Sequence, residues 1–389
     1  MNDEISKNDG TVSHKKRRCV QITITERCNL NCIYCYEKNK DCRSLSVEQV
    51  KSIVEEAFKN SDNFDEIEFD FHGGEIALSF ETLKEVCEWI WTQNWPKPYI
   101  CFACTNGTLI HGEIQQWFCK NRNRFWLGLS IDGTREMHNT NRSNSYDQID
   151  FEFFKRCWPK QGAKMTISPQ TLPYLANGIK HIVKLGFPFS ANLAYGVEWN
   201  KNMLDTYKQE LMKLVDFYLE NPELEIPNLL NFPMRQVGWL LMYPERSNER
   251  HKWCGSGEGM ICYGPDGKTY PCQVFMPSAT SEAQADDARA AIWKTFDFGK
   301  DVVDDPGCAD CILRGACPVC YGHNYLATGT LWKRPKDMCE FRKVEALATS
   351  CLQGKMLQDY AKYAHTRHLT EYDRMAIARG ILAVQEQLF

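Results

Sequence analysis

Six short runs rich in β-branched and aromatic residues, each followed by a polar or glycine-containing turn and then a helix-period stretch, occupy residues 19 to about 220. CVQITIT (19–25), DEIEFDF, YICFAC, FWLGLSI, KMTISP and FSANLAY read as strands, and helical stretches fall at 46–60, near 80–92, 113–120, 150–157, 173–185 and 201–219. Ser46 with Gln49 three residues on is the capping box that opens the first helix. A strand–helix rhythm with short turns restricts the chain to an α/β fold with a parallel sheet, either doubly wound or curled into part of a barrel. The turns TERC, HGGE, TNG, SIDG, SPQ and LAYG all follow strands. Loops after the carboxyl ends of β/α strands carry the site, so these turns are expected to converge on one face of a partial (β/α)6 barrel.

The rhythm stops near residue 222. NPELEIPNLLNFP is Pro-rich and reads as a connector over 222–253. Residues 254–340 then hold eight cysteines, and 341–389 return to helix-forming composition ending in LTEYDRMAIARGILAVQEQL, a C-terminal helix. With the tail at 1–18 and the β/α unit at 19–221, this makes a large domain, a small cysteine-rich domain and a helical end. The net charge is only -4, and HKKRR (14–18) reads as a solvated tail, so neither nucleic acid nor a membrane surface is an expected partner. No secretory signal or membrane-length apolar stretch is present, which points to the cytoplasm.

There the 19 cysteines need an explanation other than stable disulfides, and metal binding is the physical alternative. Cys28, Cys32 and Cys35 stand on one loop as CxxxCxxC. Three thiolates can hold three irons of a 4Fe-4S cube and leave the fourth iron open; a zinc site completed by His72 is the alternative. The later eight can form two sets of four, or a zinc ribbon around CADC and CPVC. Of the remaining cysteines, Cys101 and Cys104 form a CxxC, but residues three apart on a strand face opposite sides and make a poor chelate.

The CxxxCxxC loop with Tyr34 before its last cysteine resembles the signature of the radical S-adenosylmethionine enzymes. The resemblance implies that S-adenosylmethionine chelates the open iron and is split to a 5′-deoxyadenosyl radical that abstracts hydrogen from substrate. His72-Gly73-Gly74-Glu75 matches the family's GGE motif, which contacts the methionine amino group, although Ile76 stands where the family usually has proline. By the same resemblance Tyr34, Asn106, Ser130, Asp132, Arg142 and Asn192 are expected to contact the cofactor or substrate, Arg142 best of all because a guanidinium suits a carboxylate. The eight later cysteines resemble the SPASM extension. Cys254, Cys262, Cys272 and Cys320 would hold one auxiliary cluster and Cys308, Cys311, Cys317 and Cys339 another, giving three 4Fe-4S clusters; CPVC is one residue shorter than the family pattern.

Relatives of this kind mature sulfatases or ribosomally made peptides. Sulfatase maturases place an Asp after the Cys of YPC, where this chain has Gln273, and an amide is no base at neutral pH. The leading expectation is therefore oxidation or crosslinking of a ribosomally synthesised precursor peptide, with flavodoxin or ferredoxin as electron donor. Sulfatase-maturase-like protein oxidation, a small-molecule radical oxidoreductase and a non-enzymatic metal-scaffolded binding protein stay open. Many peptide maturases carry an N-terminal leader-binding domain. Only 18 residues precede the first strand here, so a leader is expected to bind another surface or a separate protein.

Overall fold

The computed structural model describes residues 16–244, 253–295, 305–363 and 369–388. Most of the N-terminal tail and the end of the connector lie outside the described residues. The first half alternates as expected: β1 (Arg17–Thr25), α1 (Val47–Lys59), β2 (Glu66–Gly73), α2 (Phe80–Ile90), β3 (Tyr99–Thr105), α3 (Gly112–Lys120), β4 (Phe125–Leu129), α4 (Arg135–Asn141), α5 (Phe151–Cys157), β5 (Ala163–Ile167), α6 (Leu175–Leu185), β6 (Phe189–Leu193) and α7 (Asn202–Glu220). Then follow α8 (Met234–Met242), β7 (Met260–Tyr263), β8 (Thr269–Tyr270), α9 (Glu282–Thr295), α10 (Tyr321–Thr328), α11 (Lys336–Gln358), α12 (Tyr360–Tyr363) and α13 (Glu371–Leu388).

Local chemistry accounts for the elements. The capping box forms, Gln49 N–H donating to Ser46 Oγ (3.3 Å) while Ser46 N–H donates to Gln49 Oε1 (2.8 Å). In β2 the alternation is strict: Ile67, Phe69 and Phe71 are fully buried toward the helical layer, and Glu66, Glu68, Asp70 and His72 share the opposite face. Beside them Arg17 on β1 pairs with Glu66 and Glu68 at 2.7 and 2.8 Å.

The strands stand in the order β4-β3-β2-β1-β7-β8, with β5-β6 as a second parallel pair. The two sheets meet at one parallel bridge, Ser130 to Lys164, where Ile131 N–H donates to the Lys164 carbonyl at 2.9 Å. The six strands thus follow one another in chain order, as a partial barrel requires, and form an open parallel sheet. One pairing has no local signal in the sequence: β7, from the cysteine-rich segment, lies parallel to β1, Cys19 opposite Met260 through Ile22 opposite Tyr263. β8 returns antiparallel beside it.

α8, inside the expected connector, crosses α13. The crossing is so close that a Cβ on Gly238 would run into the Ala376 carbonyl and one on Gly380 into the Met234 carbonyl. Helix propensity alone would make Gly380→Ala stabilising by about 1 kcal/mol. The contact reverses the sign: G380A is expected to destabilise the protein by about 2 kcal/mol, read from denaturant unfolding.

Candidate functional site

The turns after β1, β2, β3 and β4 do meet. They surround a cavity of about 740 Å³ lined by Cys28, Cys32 and Cys35 together with Tyr34, Gly73, Gly74, Glu75, Asn106, Ser130 and Arg142. Two expected residues lie apart from this lining: Asp132 is wholly buried behind it, and Asn192 is exposed on β6.

The cysteine loop is held at its root by the HGGE turn. Gly74 N–H donates to the Thr25 carbonyl (3.0 Å) and Glu75 N–H to the Arg27 carbonyl (2.8 Å). A Cβ on Gly73 would collide with the Thr25 carbonyl, and one on Gly74 with the carbonyls of Arg27 and Glu26. The two glycines therefore let two backbones of the protein touch, where the motif alone suggests only an approach to a ligand. Glu75 is buried and committed to the turn after β3: Oε1 accepts from Thr105 Oγ1 (2.7 Å) and Ala77 N (3.1 Å), Oε2 from Asn106 N (2.8 Å). Burial raises its pKa, against those hydrogen bonds and Arg142. Asn106 in turn donates to Asn29 (2.9 Å), a residue of the cysteine loop.

Asp132 organises the other wall. Its carboxylate accepts from Tyr34 Oη (2.6 Å), Arg142 Nε (2.8 Å) and Nη2 (3.2 Å), Asn141 Nδ2 (3.1 Å) and the Thr166 amide (2.9 Å). That set leaves no lone pair aimed at a ligand, so Asp132 positions Tyr34 and Arg142, and those two face the cavity. The Asp132 amide donates to His138 Nδ1 (3.3 Å), which leaves Nε2 to carry the ring proton toward Ser145 (3.1 Å). Burial and the Arg142 guanidinium push His138 from 6.5 down to about 4, although Asp132 pulls the other way.

Residues not singled out in the sequence also line the cavity: Glu26, Lys40 and Cys42. Lys40 Nζ stands 3.5 Å from Cys35 Sγ and 3.4 Å from Glu37. The strand parity expected for Cys101 and Cys104 is seen, with Cys101 buried beside Cys87 and Cys104 turned to the cavity.

The donor set fits an iron–sulfur cluster. All three loop thiols are free, and burial pushes Cys32 up to about 11, a thiolate that a metal charge rather than the protein would stabilise. The later eight cysteines separate into two neighbourhoods. Cys272, pushed up to about 12 by burial, feels the charges of Cys320 and Cys254, and Cys262 feels Cys272. Cys308 feels Cys339 and Cys311, and Cys317 feels Cys339. Cys320 thus sits with the first group despite the shortened CPVC spacing. Among the described residues no three His, Cys, Asp or Glu close around a single ion.

Comparison with known proteins agrees with this geometry. No family model matches the chain. It is 27% identical over 263 residues to an uncharacterized protein of Methanocaldococcus jannaschii, covering 65% of this chain and 84% of that one. It is 31% identical over 178 residues to a cysteine-type anaerobic sulfatase-maturating enzyme of Clostridium perfringens, covering 42% and 47%. It is 29% identical over 291 residues to the Fe-coproporphyrin III synthase of Methanosarcina barkeri, covering 68% and 70%. The sequence match spans less than half the length of these sulfatase-maturating enzymes. Among solved structures, anSMEcpe with bound AdoMet superposes with a TM-score of 0.64 at 17% identity over 93% of this chain and 98% of that one. SuiB of Streptococcus suis, solved with its precursor peptide SuiA, gives 0.52 at 13% identity over 82% and 75%. The fold is that of radical S-adenosylmethionine enzymes with SPASM extensions, and the sequence relatives include sulfatase-maturating enzymes.

Two expectations follow. Gly74→Ala forces the loop root apart, so after anaerobic reconstitution it is expected to retain about four fewer irons per chain than the parent, read by iron analysis and cluster absorbance. His138 binds a proton near 6.5 when unfolded and only near 4 when folded. Stability is therefore fully present above pH 6.5 and falls by up to about 3 kcal/mol toward pH 4, and H138Q removes that part of the slope in pH-dependent unfolding.

Proposed function

We propose that this chain is a radical S-adenosylmethionine enzyme that oxidises or crosslinks a side chain of a ribosomally synthesised peptide. The observation that carries the reading is one cavity in which three free thiols, the GGE turn and the Asp132-held pair of Tyr34 and Arg142 face each other. Cys28, Cys32 and Cys35 would hold a 4Fe-4S cluster, which would supply the electron for splitting S-adenosylmethionine. The remaining work belongs to the protein. Arg142 presents a fixed cation for the methionine carboxylate, its geometry set by Asp132. Ser130 and Asn106, whose amide already serves Asn29 and Thr108, are assigned to neutral contacts on the same wall, and the Gly73–Gly74–Glu75 turn that lines the cavity is assigned to the amino group. Asn192, on the outermost strand and exposed, is assigned to substrate rather than cofactor.

Peptide chemistry is favoured by the fold's match to SuiB and anSMEcpe, each also solved with a peptide bound. The two four-cysteine groups are proposed to hold auxiliary clusters, making three in all, with a flavodoxin- or ferredoxin-like donor. We keep the division into tail, β/α unit, connector, SPASM segment and helical end at 1–18, 19–221, 222–253, 254–340 and 341–389. Protein oxidation of the sulfatase type is the second reading, and one contact bears on it. Gln273 N–H donates to Gln21 Oε1 (3.3 Å), whose Nε2 donates to Asp70 (3.1 Å), so a carboxylate stands one amide away from the position that lacks a base.

Reconstituted protein given reductant, S-adenosylmethionine and the short peptides encoded beside its gene is expected to release 5′-deoxyadenosine and change the mass of one peptide. Cys32→Ala is expected to reduce both to background. Cofactor cleavage with every peptide unaltered would reject the peptide assignment and leave the radical chemistry standing.

A further inference from the structure

The two downstream cysteine groups sit in different surroundings. Cys262 lies on β7 against the sheet, 3.8 Å from Thr23 Oγ1 and 3.4 Å from Met276 Sδ, and it faces the carboxylates of Asp70 and Glu37. The donors that reach Cys272 and Cys320 are neutral: the Ser256 hydroxyl, the Val274 amide, the Tyr195 hydroxyl and the His323 amide at 3.5 Å. The second group packs instead among α8, α11 and α13, with Cys311 and Cys317 in that apolar cluster.

There Arg334 turns its guanidinium onto a cysteine. Nη1 lies 2.7 Å from Cys317 Sγ, Nη2 donates to the Cys317 carbonyl (3.1 Å), and the Arg334 amide donates to Asp305 Oδ2 (2.8 Å). Its charge also reaches Cys308 and Cys339. Other charged groups face this set, but most are matched. Arg342, near Cys317, is ion-paired with Glu345 (2.5 Å), and Lys343, near Cys339, with Glu340 (2.9 Å). Asp305 opposes Arg334 at Cys308. Arg334 is thus the cation whose side-chain donors go to the thiol set itself.

We infer that Arg334 holds the Cys308, Cys311, Cys317 and Cys339 group at a higher reduction potential than the Cys254, Cys262, Cys272 and Cys320 group. Reduction adds negative charge to a cluster, and a fixed cation donating hydrogen bonds to a ligating sulfur favours the reduced form. On the other side Asp70, which accepts from the neutral Gln21 amide, disfavours it at Cys262, while Glu37 is paired with Lys40. Arg334, Cys320 and Cys339 border one small crevice, where the two cysteine groups approach each other. The inference rests on the proposal that these eight cysteines hold two clusters.

The test uses the full chain with Cys28, Cys32 and Cys35 replaced by Ala, reconstituted anaerobically and followed by potentiometric titration with EPR detection. Two centres of unequal potential are expected. R334Q should lower the higher one by at least tenfold in its reduction equilibrium, about 59 mV for one electron, and leave the lower one in place. D305N, which removes the opposing carboxylate, should move the same centre upward, and R334K should shift it less than R334Q does. An unmoved higher centre in R334Q or in D305N, or a shift confined to the lower centre, overturns the inference. Should R334Q lose iron, the direction seen with D305N decides alone. Fewer than about eight irons in the parent would reject the two-cluster proposal itself, and the inference with it.

Discussion

The Asp132 carboxylate is the tie on which the site depends. Four segments reach it: the cysteine loop through Tyr34, the end of α4 through Asn141 and Arg142, β5 through the Thr166 amide, and its own turn after β4. The seam it crosses benefits from it, because among the described residues the backbone bridge between β4 and β5 is the single Ser130–Lys164 pair. A buried ion pair is costly unless its remaining valences are filled. Here they are, and the outcome is specificity of position more than stability. Arg142 cannot leave without stranding a carboxylate, and Tyr34 cannot turn without breaking a 2.6 Å hydrogen bond.

A second constraint is packing of backbone on backbone. The HGGE turn has no room for a Cβ where it meets Thr25–Arg27, so the root of the cysteine loop and the end of β2 form one rigid piece. Asn106 and Glu75 extend that piece to β3. Three strand ends and one loop are thus fixed to each other before any ligand arrives, the preorganisation that catalysis at a cofactor requires.

How much of this was legible in the sequence depended on the range of the interaction. The six strands and their helices were readable because alternation and capping are local: EIEFDFH carries its two faces in its own letters, and Ser46–Gln49 marks a helix start. α8 was hidden in a Pro-rich stretch, where MRQVGWLLM is too short for periodicity to outweigh its flanks. β7 was unreadable for another reason, since MICY makes sense as a strand only beside β1, and nothing near it says so. The site divides in the same way. Cysteine spacing and the GGE turn announced the cavity, and the free cysteines on the described strand faces fell where parity put them. Asp132 read as an ordinary turn residue with a ligand-facing role, because a network assembled from residues 34, 132, 141, 142 and 166 leaves no pattern in any one window. Lys40 and Glu26 were missed although both lie in the loop that holds the three thiols.

The place of β7 also bears on how such a chain comes off the ribosome. β1 is an interior strand, paired on one side with β2 and on the other with a segment some 240 residues later. Until residue 263 has emerged, one edge of β1 stays open, next to a loop of three uncoordinated thiols. Contacts of such long sequence separation form late. Emergence of the three-cysteine loop and closure of the sheet are therefore separated by the synthesis of more than half the protein.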